Sequence, residues 1–372
     1  MIDIPHGQRH TIDIPYGHQA IDDDDIAAVV DVLRGDWLTQ GPAVEHFEAA
    51  LCAVTGAEHA VAFASGTVAL HASLWATGIG KGDTVSTSPL SFVASASCAL
   101  WVEALPSFID IDPKTLNLDL GNLGRCDALV AVHYAGLPID LAGMVSRPRV
   151  VIEDAAHAIG ARTPDGPVGN CAHSDACVFS FHPVKTITTG EGGAVTTNSP
   201  ELAARLARFR SHGMVPRPQH GGWFYEISEL TPNARISDIQ CALGASQLAK
   251  LDRFVTRRNE IADRYDELLA DLDVEPAPAA APGFRHAHHL YPVRVPNRRS
   301  VYESMRADGI GVQVHYVPIY RHPLFAPYGF APSDYPETER AYQGLLSLPI
   351  YPGLTDHEQT RVVDALEAAL TR

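Results

Sequence analysis

The sequence predicts an α/β protein: a large domain on a mainly parallel sheet with helices on both faces, then a small α+β domain at the C-terminal end. Three observations carry this prediction. Short β-branched runs alternate with helix-spaced apolar runs through the first two thirds of the chain. The stretch 276–282, which contains A-P-A-A-A-P, reads as a linker, and beyond it the alternation changes. A chain of 372 residues can bury one full core and a smaller second one. The expected division is an N-terminal segment 1–20, a large domain 21–250, and a linking helix with the small domain over 251–372.

Composition narrows the function. A hydrophobic content of 46% with 19% charged residues is that of an ordinary globular protein. The net charge of −16 disfavours nonspecific binding to nucleic acid or to an anionic membrane, yet leaves room for a small anion held by backbone amides. No run approaches the roughly 20 apolar residues of a membrane helix. The N-terminus lacks the basic-then-apolar layout of a signal peptide, so a cytoplasmic protein is expected. Cys52, Cys98, Cys126, Cys171, Cys177 and Cys241 form no C-x-x-C pair, which points to free thiols and not to a zinc or disulfide framework. The cluster Arg285-His-Ala-His-His289 has no acidic partner nearby, and no metal is expected there.

Residues 2–7, I-D-I-P-H-G, recur almost unchanged as I-D-I-P-Y-G at 12–17. The period never returns, which excludes a repeat architecture, and the first copy is expected to be a mobile tail. The second copy carries Tyr16, which serves either packing or a ligand. Residues 22–33 place Ile26, Val29, Val30 and Leu33 at helical spacing behind an acidic start that suits the positive end of a helix. Gly35 ends it. The loop Asp36-Trp37-Leu38-Thr39-Gln40-Gly41-Pro42 leads to a second helix over 44–55 and a strand over 59–64. Ser65-Gly66-Thr67 then opens a helix over 68–77. Hydroxyl, free amides and helix dipole meet there, a combination that suits a phosphate as well as an ordinary N-cap.

A strand over 83–87 is followed by Ser91-Phe92-Val93-Ala94 at the start of the next helix. Phe92 thus stands at a strand's carboxyl end, either as a stacking surface for a flat ligand or as a core residue. Strands over 107–111, 128–132 and 150–153 continue the alternation. The last of them delivers Asp154 to the sheet edge where open α/β sheets bind ligands. That carboxylate either pairs with a protonated ring nitrogen or caps the next turn; Glu153 competes for the role, and His157 follows three residues on.

The most informative stretch is 178–195, V-F-S-F-H-P-V-K-T-I-T-T-G-E-G-G-A-V. Lys185 is the only lysine between Lys114 and Lys250 and sits in an uncharged, hydroxyl-rich run. Burial there lowers the amine's pKa, which is what a Schiff-base lysine needs. Ser180 offers a hydroxyl to an anion, and Gly190-Glu191-Gly192-Gly193 makes a tight turn before a strand over 194–197. A surface helix over 200–210, a long apolar helix over 236–251 capped by Ser237 or Asn233, and an amphipathic helix over 253–272 follow. The small domain is expected to hold strands over 288–295 and 312–315 and helices over 300–308 and 356–371.

These residues also carry a family resemblance. F-S-F-H-P-V-K-x-I-T-T-x-E-G-G-A-V-x-T-N, E-D-x-x-H at 153–157, S-G-T at 65–67, the L-T-Q-G loop and Q-V-H-Y at 313–316 resemble the DegT-like sugar-nucleotide aminotransferases. The nearest subgroup aminates C4 of a UDP-linked 4-keto-6-deoxy sugar on the way to pseudaminic acid. The resemblance implies an aspartate-aminotransferase-type fold (fold type I), pyridoxal 5′-phosphate as cofactor, L-glutamate as amino donor, and a homodimer with shared active sites. It assigns Lys185 to covalent attachment and proton transfer, Ser65, Gly66, Thr67 and Ser180 to the phosphate, Phe92 and His157 to the ring, and Asp154 to the pyridine nitrogen. It assigns the partner subunit's Asn233 to completing the phosphate site. Tyr16, Asp36, Trp37, Leu38, Thr39, Arg235, His315 and Tyr316 are assigned to the nucleotide-sugar. The chain departs from the family pattern at Pro232 and at Ala234, where an aromatic is usual, and the loss of that ring is expected to reshape the pocket rim. A related dehydratase is disfavoured because those proteins carry histidine at the position of Lys185. A dTDP-linked 3- or 4-keto sugar or a cyclitol as substrate, and a non-catalytic ligand-sensing regulator, are the alternatives.

Overall fold

The computed structural model describes residues 12–371; the first I-D-I-P-H-G copy, and the mobile tail expected there, lie outside the described residues. Seven strands form the central sheet: β1 (His59–Phe63), β2 (Thr84–Thr87), β3 (Leu105–Phe108), β4 (Ala128–Val132), β5 (Val150–Asp154), β6 (Ala176–Ser180) and β7 (Gly193–Thr197). Their order is β1-β7-β6-β5-β4-β2-β3. Only β7 runs antiparallel to its neighbours, β1 and β6; the remaining pairs are parallel.

Alternation along these strands feeds two cores. Val61, Val130, Ile152, Val178 and Val195 face α3 (Gly66–Ala76), α4 (Ala94–Trp101) and α5 (Pro200–Arg210). Their neighbours Ala62, Cys177, Phe179 and Ala194 face α2 (Pro42–Thr55) and α6 (Asp238–Leu248) on the other side. Phe47 of α2 meets Phe181 edge to face at 5.3 Å, both fully buried, a contact that contributes about 1 kcal/mol beyond its buried area. Helix α1 (Asp23–Arg34) begins on a reciprocal capping box between Asp22 and Asp25. The buried Asp25 carboxylate also accepts from Ser246, Gln247 and Lys250, which fastens α1 to α6.

A further core gathers Ile14 with Ile261 and Tyr265 of α7 (Leu251–Leu268), Val301 and Met305 of α8 (Arg298–Ala307), and Val362 and Leu366 of α10 (Asp356–Leu370). It covers an antiparallel pair, Tyr291–Arg294 with Leu345–Leu348. The second I-D-I-P-Y-G copy runs along this unit: Ile14 bridges Ile310, and Ile350 N–H donates to the Tyr16 carbonyl.

Several sequence expectations shift here. The strand expected over 312–315 is a single bridge between Gln313 and Ser347, and its place is taken by Leu345–Leu348, an apolar run the sequence reading left out. Helix α9 (Pro336–Gly344) was likewise not expected; Asp110, at the far end of the central sheet, caps it by accepting from Glu337 and Thr338. Ser91 precedes α4, which starts at Ala94. Ser237, not Asn233, caps α6, in a capping box with Gln240.

Candidate active site

The carboxyl ends of β1, β4, β5 and β6 open into one cavity of about 430 Å³. Asp154 is the last residue of β5, Ser180 the last of β6, and Ser65 follows β1 by two residues, so sheet geometry alone brings them together. Tyr16, Ser65, Gly66, Thr67, Phe92, Asp154, His157, Ser180, Lys185, His315 and Tyr316 all line it.

At one end stands the N-terminus of α3. Ser65 Oγ accepts from Val68 N–H at 3.2 Å, and the first helical bond runs from Ala69 N–H to the Ser65 carbonyl. The amides of Gly66 and Thr67 lie ahead of these bonds at the positive end of the helix. Close approach is built in with glycine: a Cβ on Gly193 would lie 2.4 Å from Gly66 N, and one on Gly66 would lie 2.8 Å from Ser180 Cβ. Both turns of chain therefore need bare backbone where the cradle forms.

The lysine loop is cinched by its own threonines. Thr188 Oγ1 donates to the Phe181 carbonyl at 3.0 Å and accepts from Gly190 N–H at 2.9 Å, and Gly190 takes φ +82°, which favours glycine. Lys185 is the one lysine or arginine among the described residues that line the cavity, and burial pushes its amine down to about 8, the Asp154 charge pulling the other way. Its Nζ lies 3.5 Å from His289 Nε2. Burial also holds His157 and His289 well below the usual histidine range, with the Lys185 charge acting the same way. His315 is depressed by burial, and by Lys185, to about 3.

The opposite wall is aromatic. Tyr316 OH lies 3.1 Å from His157 Nε2, Phe92 tilts against Tyr316 at 6.1 Å, and Tyr16 packs on the His315 ring at 5.2 Å. His157 Nδ1 is buried without a partner among the described residues.

The competition between Glu153 and Asp154 is resolved by strand alternation. Glu153 points away from the cavity and accepts from Ser174 Oγ at 2.5 Å and from His133 Nε2 at 2.8 Å. Ile139 N–H donates to His133 Nδ1, which leaves Nε2–H as the donor to Glu153. Asp154 faces inward.

Six expected residues are not brought to this cavity within one chain. Asp36, Trp37, Leu38 and Thr39 are exposed on the loop between α1 and α2. Asn233 is exposed too, its side chain accepting from Arg235 N–H. Arg235 borders a separate depression with Gln40, Gly41 and Glu48. The expectation that Ala234 shapes the pocket rim is corrected: it is 1% exposed in the sheet core, and its carbonyl accepts from Ala64 N–H. A methyl is what that packed position accommodates. Conversely, Ser91, Ser95, His182, Glu191 and His289 line the cavity unforeseen. Ser91, His182 and Glu191 lie inside stretches that the sequence singles out, and His289 inside the histidine cluster; Ser95 carries no such signal.

A family model described as the DegT/DnrJ/EryC1/StrS aminotransferase family matches residues 19–367. The chain belongs to this family. Its relatives include the spore coat polysaccharide biosynthesis protein SpsC of Bacillus subtilis, 35% identical over 96% of this chain and 97% of that protein. Among solved structures, Helicobacter pylori PseC, an aminotransferase involved in the biosynthesis of pseudoaminic acid, superposes with a TM-score of 0.89 at 32% identity, covering 96% of this chain and 99% of PseC. The putative sugar aminotransferase Spr1654 of Streptococcus pneumoniae, in its PMP-form, gives 0.90 at 26% identity over 96% and 99%. This aminotransferase has the fold-type-I architecture and uses pyridoxal phosphate. The cavity fits that group on its own chemistry: a helix-end cradle of amides and hydroxyls, closely packed through glycines, for an anion, a buried carboxylate for a ring nitrogen, and an amine with a depressed pKa for an aldehyde. Among the described residues no set of side chains is placed to hold a metal, and no helix is long and apolar enough to cross a membrane.

Proposed function

We propose that this aminotransferase moves the amino group of L-glutamate to C4 of a nucleotide-linked, UDP-type 4-keto-6-deoxy sugar, in a pseudaminic-acid-like pathway, as a cytoplasmic homodimer with shared active sites. The observation that carries the reading is the whole-chain likeness to PseC at 32% identity, coupled with a cavity whose open wall is Tyr16, Phe92, His315 and Tyr316. When bound, pyridoxal phosphate supplies an electron sink for the carbanion left at the donor's α-carbon or the sugar's C4.

The chain's residues do the rest. Ser65, Gly66, Thr67 and Ser180 bind the phosphate, with the partner subunit's Asn233. Asp154 holds the pyridine nitrogen protonated, Phe92 and His157 fix the ring plane, and Lys185 anchors the cofactor. Once displaced, the Lys185 amine takes the proton from the donor's α-carbon and later delivers one to C4 of the sugar. With a pKa about 8 it is within reach of both protonation states near neutral pH.

Asp36, Trp37, Leu38, Thr39 and Arg235 reach a site only across a dimer interface. The exposed apolar stretch before Asn233 supports that arrangement: Trp223 is 83% and Leu230 99% exposed in the single chain. The division into segments 1–20, 21–250 and 251–372 belongs to the same reading.

The test is product identity. The purified protein, glutamate and a panel of UDP- and dTDP-linked 3- and 4-keto sugars, with a keto-cyclitol alongside, are followed by mass spectrometry. Mass gain on the UDP-linked 4-keto-6-deoxy sugar, with nitrogen at C4 by NMR, is the expected result. Amination confined to a 3-keto sugar or a cyclitol overturns the substrate assignment.

A further inference from the structure

Asp154 does not stand alone in the cavity wall. Its Oδ2 accepts from Ser95 Oγ at 2.6 Å, and its Oδ1 accepts from Ala156 N–H at 3.2 Å. Ser95 Oγ in turn lies 2.7 Å from Ser91 Oγ. An ionised carboxylate only accepts, so the Ser95 hydroxyl must donate to Asp154; its oxygen is then the acceptor, and Ser91 the donor. The result is a two-hydroxyl chain polarised toward one carboxylate oxygen. All three side chains are buried, Ser91 at 4%, Ser95 at 1% and Asp154 at 5% exposure, so water does not compete. Ser95 is held in the first turn of α4 and Ser91 in the segment leading into it.

We infer that Ser95, backed by Ser91, is a positioning residue that keeps the proton on the cofactor's pyridine nitrogen by stabilising the charged form of Asp154. This rests on the assignment of Asp154 to that nitrogen. In a buried pair, one proton is shared between two states: pyridinium with carboxylate, or neutral pyridine with carboxylic acid. A hydrogen bond donated to the carboxylate favours the first, because it strengthens with charge on its acceptor. Ser91 adds to the effect by polarising the Ser95 hydroxyl. The Asp154 rotamer is fixed as well, since each of its oxygens accepts a hydrogen bond.

The experiment is nitrogen-15 NMR of the purified holoenzyme reconstituted with pyridoxal phosphate labelled at the ring nitrogen. Wild type is expected at the pyridinium position. Ser95→Ala is expected to move the resonance toward neutral pyridine and to weaken retention of the cofactor in equilibrium dialysis by roughly tenfold, the scale of one lost charge-assisted hydrogen bond. Ser95→Thr, which keeps the hydroxyl, is expected to restore the wild-type resonance. Ser91→Ala, which leaves Ser95 in place, is expected to move it less and in the same direction, and it serves as the readout should Ser95→Ala fold poorly. A pyridinium resonance unchanged in both alanine variants overturns the inference while leaving the proposed function intact. A wild-type protein that takes up no cofactor on Lys185 overturns the proposed function itself.

Discussion

Lys185 Nζ lies 3.5 Å from Nε2 of His289, a residue 104 positions further along the chain. His289 is pinned from behind by Arg258, a 1% exposed guanidinium that donates to the carbonyls of His288, His289 and Ile350. The amine thus has a neutral neighbour, and among the described residues no carboxylate forms an ion pair with it. That environment explains why burial dominates its protonation.

The first prediction is a pH profile. Only the neutral amine attacks an aldehyde, so covalent attachment of pyridoxal phosphate to the apoenzyme should be half-maximal near pH 8 and fall about tenfold per unit below it. Stopped-flow absorbance checks this. An ordinary exposed lysine would show the midpoint near the usual 10.5.

Stability should follow the same group. The folded amine has the lower pKa, so the unfolded chain binds more protons between about 8 and 10.5, and stability rises with pH across that window. Below it the cost of the buried charge is present in full. Lys185→Met is therefore expected to stabilise the apoprotein at pH 7 by roughly 1–2 kcal/mol, discounted for the amine's partial solvent access, with the gain shrinking toward pH 10. Urea unfolding at two pH values reads it.

Neighbouring acids should fail in different ways. Asp154→Asn is expected to lower the transamination rate by about 10²–10³-fold with the melting temperature nearly unchanged. Glu153→Ala orphans the fully buried His133 Nε2, and frees the half-buried Ser174 Oγ, and should cost roughly 2–4 kcal/mol of stability while the folded fraction still loads cofactor. Paired thermal melts and half-reaction rates separate the two.

Gly193→Ala should damage the phosphate cradle from outside the cavity. Its Cβ would lie 2.4 Å from Gly66 N and 2.6 Å from the Ser65 carbonyl oxygen, both backbone atoms that cannot step aside. Cofactor retention measured by dialysis is expected to drop more than tenfold, with secondary structure kept by circular dichroism.

The exposed apolar stretch from Trp223 to Leu230 gives the fifth test. Leu230→Glu combined with Trp223→Glu places two charges on a face that the dimer would bury, and light scattering should report a monomer with cofactor affinity reduced by loss of the partner subunit's Asn233. A dimer that survives both charges would place the interface elsewhere.

The parallel sheet, the lysine loop and the S-G-T helix start are legible in the sequence because each is written in contiguous residues: short β-branched runs, a lone amine among threonines, a hydroxyl and glycine after a strand. The sequence also placed the Glu153-Asp154 pair at the sheet's carboxyl edge, because a buried β-branched strand that ends in acids ends there. Tertiary structure decided what depends on which face a side chain takes and on partners far along the chain. Whether Glu153 or Asp154 enters the cavity follows from register against β4 and β6. The place of Leu345–Leu348 beside Tyr291–Arg294, the burial of Ala234 in the core and the approach of His289 to Lys185 are all packing outcomes across long separations. Local patterns encode secondary structure because backbone geometry repeats over a few residues; contacts between distant segments have no such period, and only the packed fold selects them.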